Sequence, residues 1–338
     1  MPGKNVASDI LTGAGATFPA PLYQEWFKRF KNQTGIRINY SSTGSGDGIR
    51  QILGRTVDFG ATDVIMSEAE KKTAPARIIH IPTCMGAVAV IYNLPDIENL
   101  RLTPELIADI FMGRIVSWTD RRLGRANPSV SFPRKDIAVV HRSEASGTSY
   151  IFTDYLSRVS PQWQSSVGRG KKVRWPAGMG VEGNPGVARM VGHIEGAIGF
   201  VQLSFAEHNK LPTASIQNRA HAFVKPSMQT VTAAAEQEPL RRQGAQGDSV
   251  PQNGYPISSF TYLVVYHEQA YNGRTPSQAQ ALARWLRWCI NEGQAHTTRL
   301  LYAPLPPQVI RQAQEAIDSL VYQDKPIVNQ QTAMKKLR

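Results

Sequence analysis

Short apolar runs alternate with longer segments in which apolar side chains recur every three to four residues. This alternation predicts an α/β chain. Runs rich in β-branched and aromatic residues place strands at residues 10–13, 36–40, 57–61, 78–81, 87–92, 137–140, 197–200 and 260–265. Helical spacing falls at 19–31, 47–53, 104–111, 148–158, 185–193, 277–290 and 307–320. No internal repeat is evident. Residues 236–256, rich in Gln, Gly, Pro and charge, read as a long surface loop. The β-rich run FTYLVVY at 260–266 follows, and two helices follow it. Such a C-terminal section can return to complete a unit begun by the N-terminal one.

At 338 residues the chain leans toward two domains, and 41% apolar residues suffice for packed cores. The formal net charge is +12. A basic balance suits nucleic acid, an anionic surface or an anionic ligand. The cations are dispersed, with Lys71-Lys72, Arg121-Arg122, Lys171-Lys172 and Arg241-Arg242 the densest pairs. A basic arm or stripe is absent, so nucleic acid is not expected as a partner. Cys84 lies in an apolar strand-like run and Cys289 at the end of an amphipathic helix. Each fits a small core position, and one long-range disulfide stays open. With no CxxC pair and no HExxH, no metal site is expected. No stretch nears the roughly 18–20 apolar residues of a membrane span. Met1-Pro2-Gly3-Lys4-Asn5 lacks the apolar core of a signal peptide.

Candidate chemistry lies where strands hand over to helices. At residues 12–21 the run TGAGATFPAP ends a strand and starts a helix with proline in its first turn. That leaves the Thr17 and Phe18 amides at the positive helix end, where anions bind. Phe18 occupies the place of the third glycine in GxGxxG, so a dinucleotide fingerprint fails. The second corner is SSTGSGDG at 41–48, where Ser45 can offer its hydroxyl and its amide. No Gly-Lys-[Ser/Thr] follows, so it is not a P-loop. The third is HRSEASGTS at 141–149. There Ser146, Gly147 and Thr148 open a helix, Arg142 can grip an oxyanion with its planar fork, and Glu144 can hold that fork. Singly, each corner reads as an ordinary helix cap. Three in one α/β chain, at the carboxyl ends of strands, suggest one shared ligand.

The run VDFGATD at 57–63 ends a strand on a carboxylate, which suits an anion only if the anion carries a proton. Phosphate keeps at least one O–H at neutral pH and can donate it to Asp63, whereas sulfate has none. A site built on a ligand's hydrogen bond rejects the analogue lacking it by roughly 10⁴–10⁵.

With these residues placed, the chain closely resembles the PstS-type periplasmic phosphate-binding proteins of bacterial ABC transporters. The resemblance rests on GAGATFPAP at 13–21, GSG at 44–46, VDFGA at 57–61 with Asp63, and Arg142 with SGTS at 146–149. DIFMG at 109–113 with Trp118, WPAG at 175–178, GNPG at 183–186 and GAIGF at 196–200 add to it. It covers most of the chain. It implies a two-lobed periplasmic-binding-protein fold of the type II kind, with a two-strand hinge and the ligand in the cleft. Residues 1–86 and 257–338 would form one lobe and 87–256 the other. It further implies phosphate contacts from Thr17, Phe18, Ser45, Asp63, Arg142, Ser146, Gly147 and Thr148. Glu144 stands at the arginine's acidic partner position, which is usually a shorter residue. Asp47 falls where relatives carry a small residue and is expected to cap its helix. Asn184 is expected as an N-cap without a ligand role.

The expected mechanism is clamping of phosphate between the lobes, presenting a closed form to a membrane permease. A monomer without cofactor or catalysis is expected, outside the cytoplasm, with an export signal beyond this sequence. A phosphate-ester hydrolase or phosphotransferase is the rival, as are a binder of another oxyanion and a surface-retained phosphate sensor. The seven histidines are scattered, and His141 should face away from Arg142 because successive strand residues alternate.

Overall fold

A computed structural model describes residues 10–237 and 252–327. Arg241-Arg242, the N-terminal residues before Ile10 and most of the expected 236–256 loop lie outside the described residues. Eight strands build the main sheet: β1 (Ile10–Gly15), β2 (Arg37–Ser42), β3 (Phe59–Thr62), β4 (Ile78–Tyr92), β5 (Ala138–Arg142), β6 (Met179–Val181), β7 (Ala197–Gln202) and β8 (Ser258–Tyr266). Their spatial order is β2-β1-β3-β8-β4-β7-β5-β6. Strands β1, β2 and β3 run parallel, as do β5, β6 and β7. Between these two parallel groups stand β8 and β4, each antiparallel to its neighbours.

The long strand β4 serves both halves. Its residues Ile78 to Ala87 pair with β8, and Val88 to Tyr92 pair with β7. Beside the changeover the returning chain is tied down, with Val88 donating to the Ile257 carbonyl at 2.8 Å and Tyr255 Oη donating to the Val88 carbonyl at 3.1 Å. The sequence divides this stretch into two strands; the structure makes it one, 15 residues long. Pro82, which cannot donate to a ladder, is absorbed by a bulge, with the register shifting between Thr261 and Tyr262 opposite Pro82 and Cys84.

Two groups of aromatic rings, one in each half, belong to one continuous core. In the helix α1 (Ala20–Thr34), Leu22, Tyr23, Trp26 and Phe30 lie on one buried face. Trp26 meets Trp285 and Trp288 of a C-terminal helix (Pro276–Ile290) edge-on, at 6.3 and 5.9 Å between centroids. Gly35 ends α1 in the left-handed region, its amide closing on the Lys31 carbonyl. In the other half, Phe152 stacks on Phe200 at 4.3 Å and meets Phe111 edge-on at 4.7 Å. Cys84 and Cys289 are free thiols, both buried, so the core reading of the cysteines holds and no disulfide links them.

Candidate functional site

Three corners project from strand ends. After β1 the chain turns at Gly15, whose φ of 138° and closeness to the Ala61 backbone admit no side chain. Thr17 and Phe18 follow, both buried, and α1 starts just beyond Pro19. Tyr302 Oη donates to the Phe18 carbonyl at 2.6 Å and its ring meets that of Phe18 edge-on. After β2, Gly44 caps the helix α2 (Ser45–Leu53), and the Thr43 and Gly44 amides bond the Gly15 carbonyl at 2.9 and 2.8 Å. This ties the second corner to the first. After β5, Ser146 caps the helix α3 (Gly147–Val159), its hydroxyl accepting from the Ser149 amide at 3.1 Å.

Asp63, just past β3, lies among these corners. It is 2% exposed. Its Oδ1 accepts from Thr261 Oγ1 at 2.8 Å, and its Oδ2 accepts from Ser45 Oγ at 3.2 Å. Burial pushes its carboxyl up from an ordinary 3.8 to about 6, against the lowering by the Thr261 and Ser45 hydrogen bonds and the Arg142 charge. A Cβ on Gly147 would stand 2.8 Å from Asp63 Cβ and closer still to Ser45 Oγ and Asp63 Oδ2. Only glycine lets the start of α3 approach that closely.

Arg142 is also 2% exposed. Glu144 Oε1 takes its Nε at 2.8 Å and its Nη2 as well, and accepts the Gly183 amide at 3.2 Å. Of the five guanidinium N–H groups these use two, and Nη1 spends a third on Thr148 Oγ1 at 3.2 Å. Asn184 Nδ2 then links Thr148 Oγ1 at 3.3 Å to Thr17 Oγ1 at 2.8 Å. The chain of contacts Glu144–Arg142–Thr148–Asn184–Thr17 and the cluster Ser45–Asp63–Gly147 join at α3. All eight expected contact residues therefore gather at one place, Ser146 as the cap of α3 and Phe18 beside Thr17. A cavity of about 730 Å³ opens against it, lined among others by Thr17, Thr43, Glu144, Gly183 and Arg299.

Two expectations are corrected. Asn184 is not an N-cap: the helix α4 spans Gly183–His193, with Glu182 in the capping position. Asn184 is instead buried between two threonines. Asp47 sits inside the first turn of α2 rather than at its cap, and accepts from Thr43 Oγ1, Gln51 Nε2 and Arg50. Burial raises its carboxyl, but the Thr43, Gln51 and Arg50 hydrogen bonds outweigh it and hold the group below the usual range. Thr261 and Tyr302 carry no local sequence signal and are found only through the fold.

His141 behaves as strand alternation requires. Its ring stacks on Trp175 at 4.8 Å, away from the Arg142 fork, and burial lowers its pKa. Among the described residues no group of three or more His, Cys, Asp or Glu could hold a metal ion, and no helix is long and apolar enough to cross a membrane.

Two α/β halves sharing a long strand, with donors and one buried carboxylate gathered where they meet, define a two-lobed protein of the periplasmic-binding-protein class. Comparison with known proteins narrows this. Residues 2–292 match the model of the PBP superfamily domain. The chain is 38% identical to the phosphate-binding protein PstS of Pasteurella multocida, covering 91% of this chain and 89% of that one. It is 36% identical to PstS of Haemophilus influenzae, over 90% and 91%. In structure it resembles a high-affinity periplasmic phosphate-binding protein solved with phosphate, at 21% identity and a TM-score of 0.73, over 91% and 93% of the chains. A human phosphate-binding apolipoprotein has the same fold, at 19% identity and a TM-score of 0.74, over 90% and 93%. The chain belongs to the PstS family of phosphate-binding proteins.

Proposed function

We propose that this protein captures inorganic phosphate, as the mono- or dibasic ion, and delivers it to the membrane permease of an ABC transporter. The observation that carries this is Asp63, a buried carboxylate set among hydroxyls, an arginine fork and a helix N-terminus. The arginine and the helix N-terminus suit the bare oxygens of an anion, and the carboxylate, held by the two hydroxyls, suits the hydrogen that phosphate retains. Each hydrogen bond to the charged ligand contributes roughly 1.5–3 kcal/mol net, so a handful suffices for tight capture. Thr17, Phe18, Ser45, Asp63, Arg142, Ser146, Gly147 and Thr148 would be the contacts, with Glu144 aligning the arginine.

The lobes would divide as 1–86 with 257–338 and 87–256, at the level where β4 exchanges β8 for β7. The protein would work as a single chain in the periplasm or an equivalent extracytoplasmic space, binding without chemistry. In support, His141 is stacked on Trp175 rather than turned to the arginine, and the PstS relatives are named as binding proteins.

Calorimetric titration with phosphate, arsenate and sulfate tests the reading. Phosphate should bind tightly, arsenate, with the same proton, should compete, and sulfate should not. Equal affinity for sulfate would overturn it. A chromogenic phosphate ester should release no product; turnover would favour the hydrolase.

A further inference from the structure

Helix α4 brings one buried amide side chain, Asn184, to the junction of the site. It is fully buried, so no water competes for its hydrogen bonds. An amide side chain is ambiguous as to which end is oxygen, but its neighbours resolve it here. The Gln202 backbone N–H donates to Asn184 Oδ1 at 3.0 Å. The other end is therefore the NH₂ group, a pure donor, and it faces both threonines.

The lone pairs of those threonines can then be counted. A hydroxyl oxygen has two acceptor positions and one proton. Thr148 Oγ1 receives Asn184 Nδ2 at 3.3 Å and Arg142 Nη1 at 3.2 Å, and both of these groups can only donate. Thr17 Oγ1 receives Asn184 Nδ2 at 2.8 Å and the Asn184 amide N–H at 3.4 Å. Each oxygen is filled as an acceptor, so each hydroxyl must spend its proton on a third group. Left alone, a hydroxyl could turn a lone pair toward an anion and repel it.

We infer that Asn184 is a positioning residue that fixes the Thr17 and Thr148 hydroxyls as donors toward the bound anion. The inference rests on the phosphate-binding reading above. It assigns the two polarities of the site to different residues: Asn184 enforces donation on Thr17, Asn184 with Arg142 enforces it on Thr148, and Asp63 supplies acceptance. It also makes Thr17 dependent on closure, because its orienting partner comes from the 87–256 segment.

The test is a double-mutant cycle by calorimetry with inorganic phosphate on the full chain at pH 7.5. Asn184→Ala is measured in the wild-type, Thr17→Val and Thr148→Val backgrounds, with equilibrium dialysis of labelled phosphate where binding is weak. If Asn184 acts through the hydroxyls, its removal weakens wild-type binding about 10- to 100-fold and costs at least threefold less in each valine background. Equal fold-losses in all three backgrounds overturn the inference. Asn184→Asp guards against misfolding, since it keeps the shape and the Gln202 contact while it reverses the polarity facing the threonines and adds a negative charge, whose share is read from the loss by the same variant in the Thr17→Val and Thr148→Val backgrounds. Its deficit should exceed that of the alanine at pH 7.5 and shrink toward pH 5 as the new carboxyl protonates. Binding by Asn184→Asp within about twofold of wild type at pH 7.5 overturns it too. Wild-type protein that ignores phosphate would sink the earlier reading instead, so the two failures are told apart.

Discussion

Replacing Asp63 by asparagine should weaken phosphate binding and strengthen the empty protein at once. The carboxyl is buried, and its pKa stands at about 6 instead of 3.8. A group bound more tightly to its proton in the folded state contributes stability that is fully present below the unfolded value. That stability is lost as pH rises through the folded value. The ligand-free protein therefore loses stability between about pH 4 and pH 6 on account of this residue. At pH 7.5 it carries the full cost of a charged carboxylate in a dry pocket. The displacement corresponds to roughly 3 kcal/mol. Asparagine removes the charge, keeps an oxygen for Thr261 Oγ1, and places an amide against Ser45. Part of the gain is spent on turning the Ser45 hydroxyl, so a net 1–3 kcal/mol is expected for ligand-free D63N.

Binding should move the other way. Phosphate loses a hydrogen bond to a charged acceptor, about 1.5–3 kcal/mol, or roughly 10- to 150-fold in affinity. Sulfate exchanges lone-pair repulsion for a donor and gains. Calorimetry with both anions, beside thermal unfolding of the ligand-free forms at pH 4 and pH 8, reads all three effects. The unfolding advantage of D63N should be present at pH 8 and mostly gone near pH 4. In the wild type, sulfate competition should rise as pH falls through about 6, because Asp63 then becomes an O–H donor. A phosphate-to-sulfate ratio unchanged in D63N would refute the assignment of Asp63 as the reader of the ligand's proton.

Other outcomes follow from the same contacts. Arg142→Ala should weaken phosphate binding at least a hundredfold, since it removes the fork and strands Glu144 without its cation; near-native affinity in calorimetry would take the arginine out of the site. Gly147→Ala should abolish tight binding while leaving thermal stability close to wild type, because on the proposed lobe division its methyl would meet Asp63 and Ser45 across the cleft and opening would relieve it; dialysis and differential scanning fluorimetry separate the two. Cys84 and Cys289 should resist alkylation in the native protein and react only on unfolding, because burial pushes both thiols well above their ordinary range. Rapid native labelling of either one would contradict that burial.

The corners of the site were readable because their chemistry is local. Glycine that must turn the chain, serine or threonine that must cap, and proline in a first turn are all adjacent residues obeying short-range rules. Thr261 is different. It lies 198 residues from Asp63, in the middle of an apolar strand, where a threonine is an unremarked β-former. Its partner is set by strand order and by the bulge at Thr261 and Tyr262, neither of which is encoded nearby. Asn184 misleads for the opposite reason. Asparagine before proline at a helix start has a strong local meaning, and tertiary contact overrides it. The division of β4 has the same origin: Pro82 is a local breaker, and the strand survives because β8 accommodates it. Local rules thus recover what each corner is, and long-range packing decides what the corners share.

That sharing ties affinity to closure. The Gly46 amide bonds the Ala145 carbonyl at 2.9 Å, Asn184 bonds Thr17, and Gly147 rests against Asp63. On the proposed lobe division each contact crosses between lobes, as does the ion pair of Lys171 with Glu70. Lys171 is not remote from recognition, since its carbonyl accepts the Ser146 amide at 2.8 Å at the cap of α3. When the competent form is fractionally populated, apparent affinity falls by that fraction. On the proposed function and lobe division, an affinity for phosphate would therefore contain the free energy of these cross-lobe contacts as well as that of the bonds to the ion. Selectivity does not, because closure contributes equally to every anion that fits, and only groups such as Asp63 that distinguish a protonated oxygen from a bare one change the ratio. Strength of capture and choice of ligand are set by different residues.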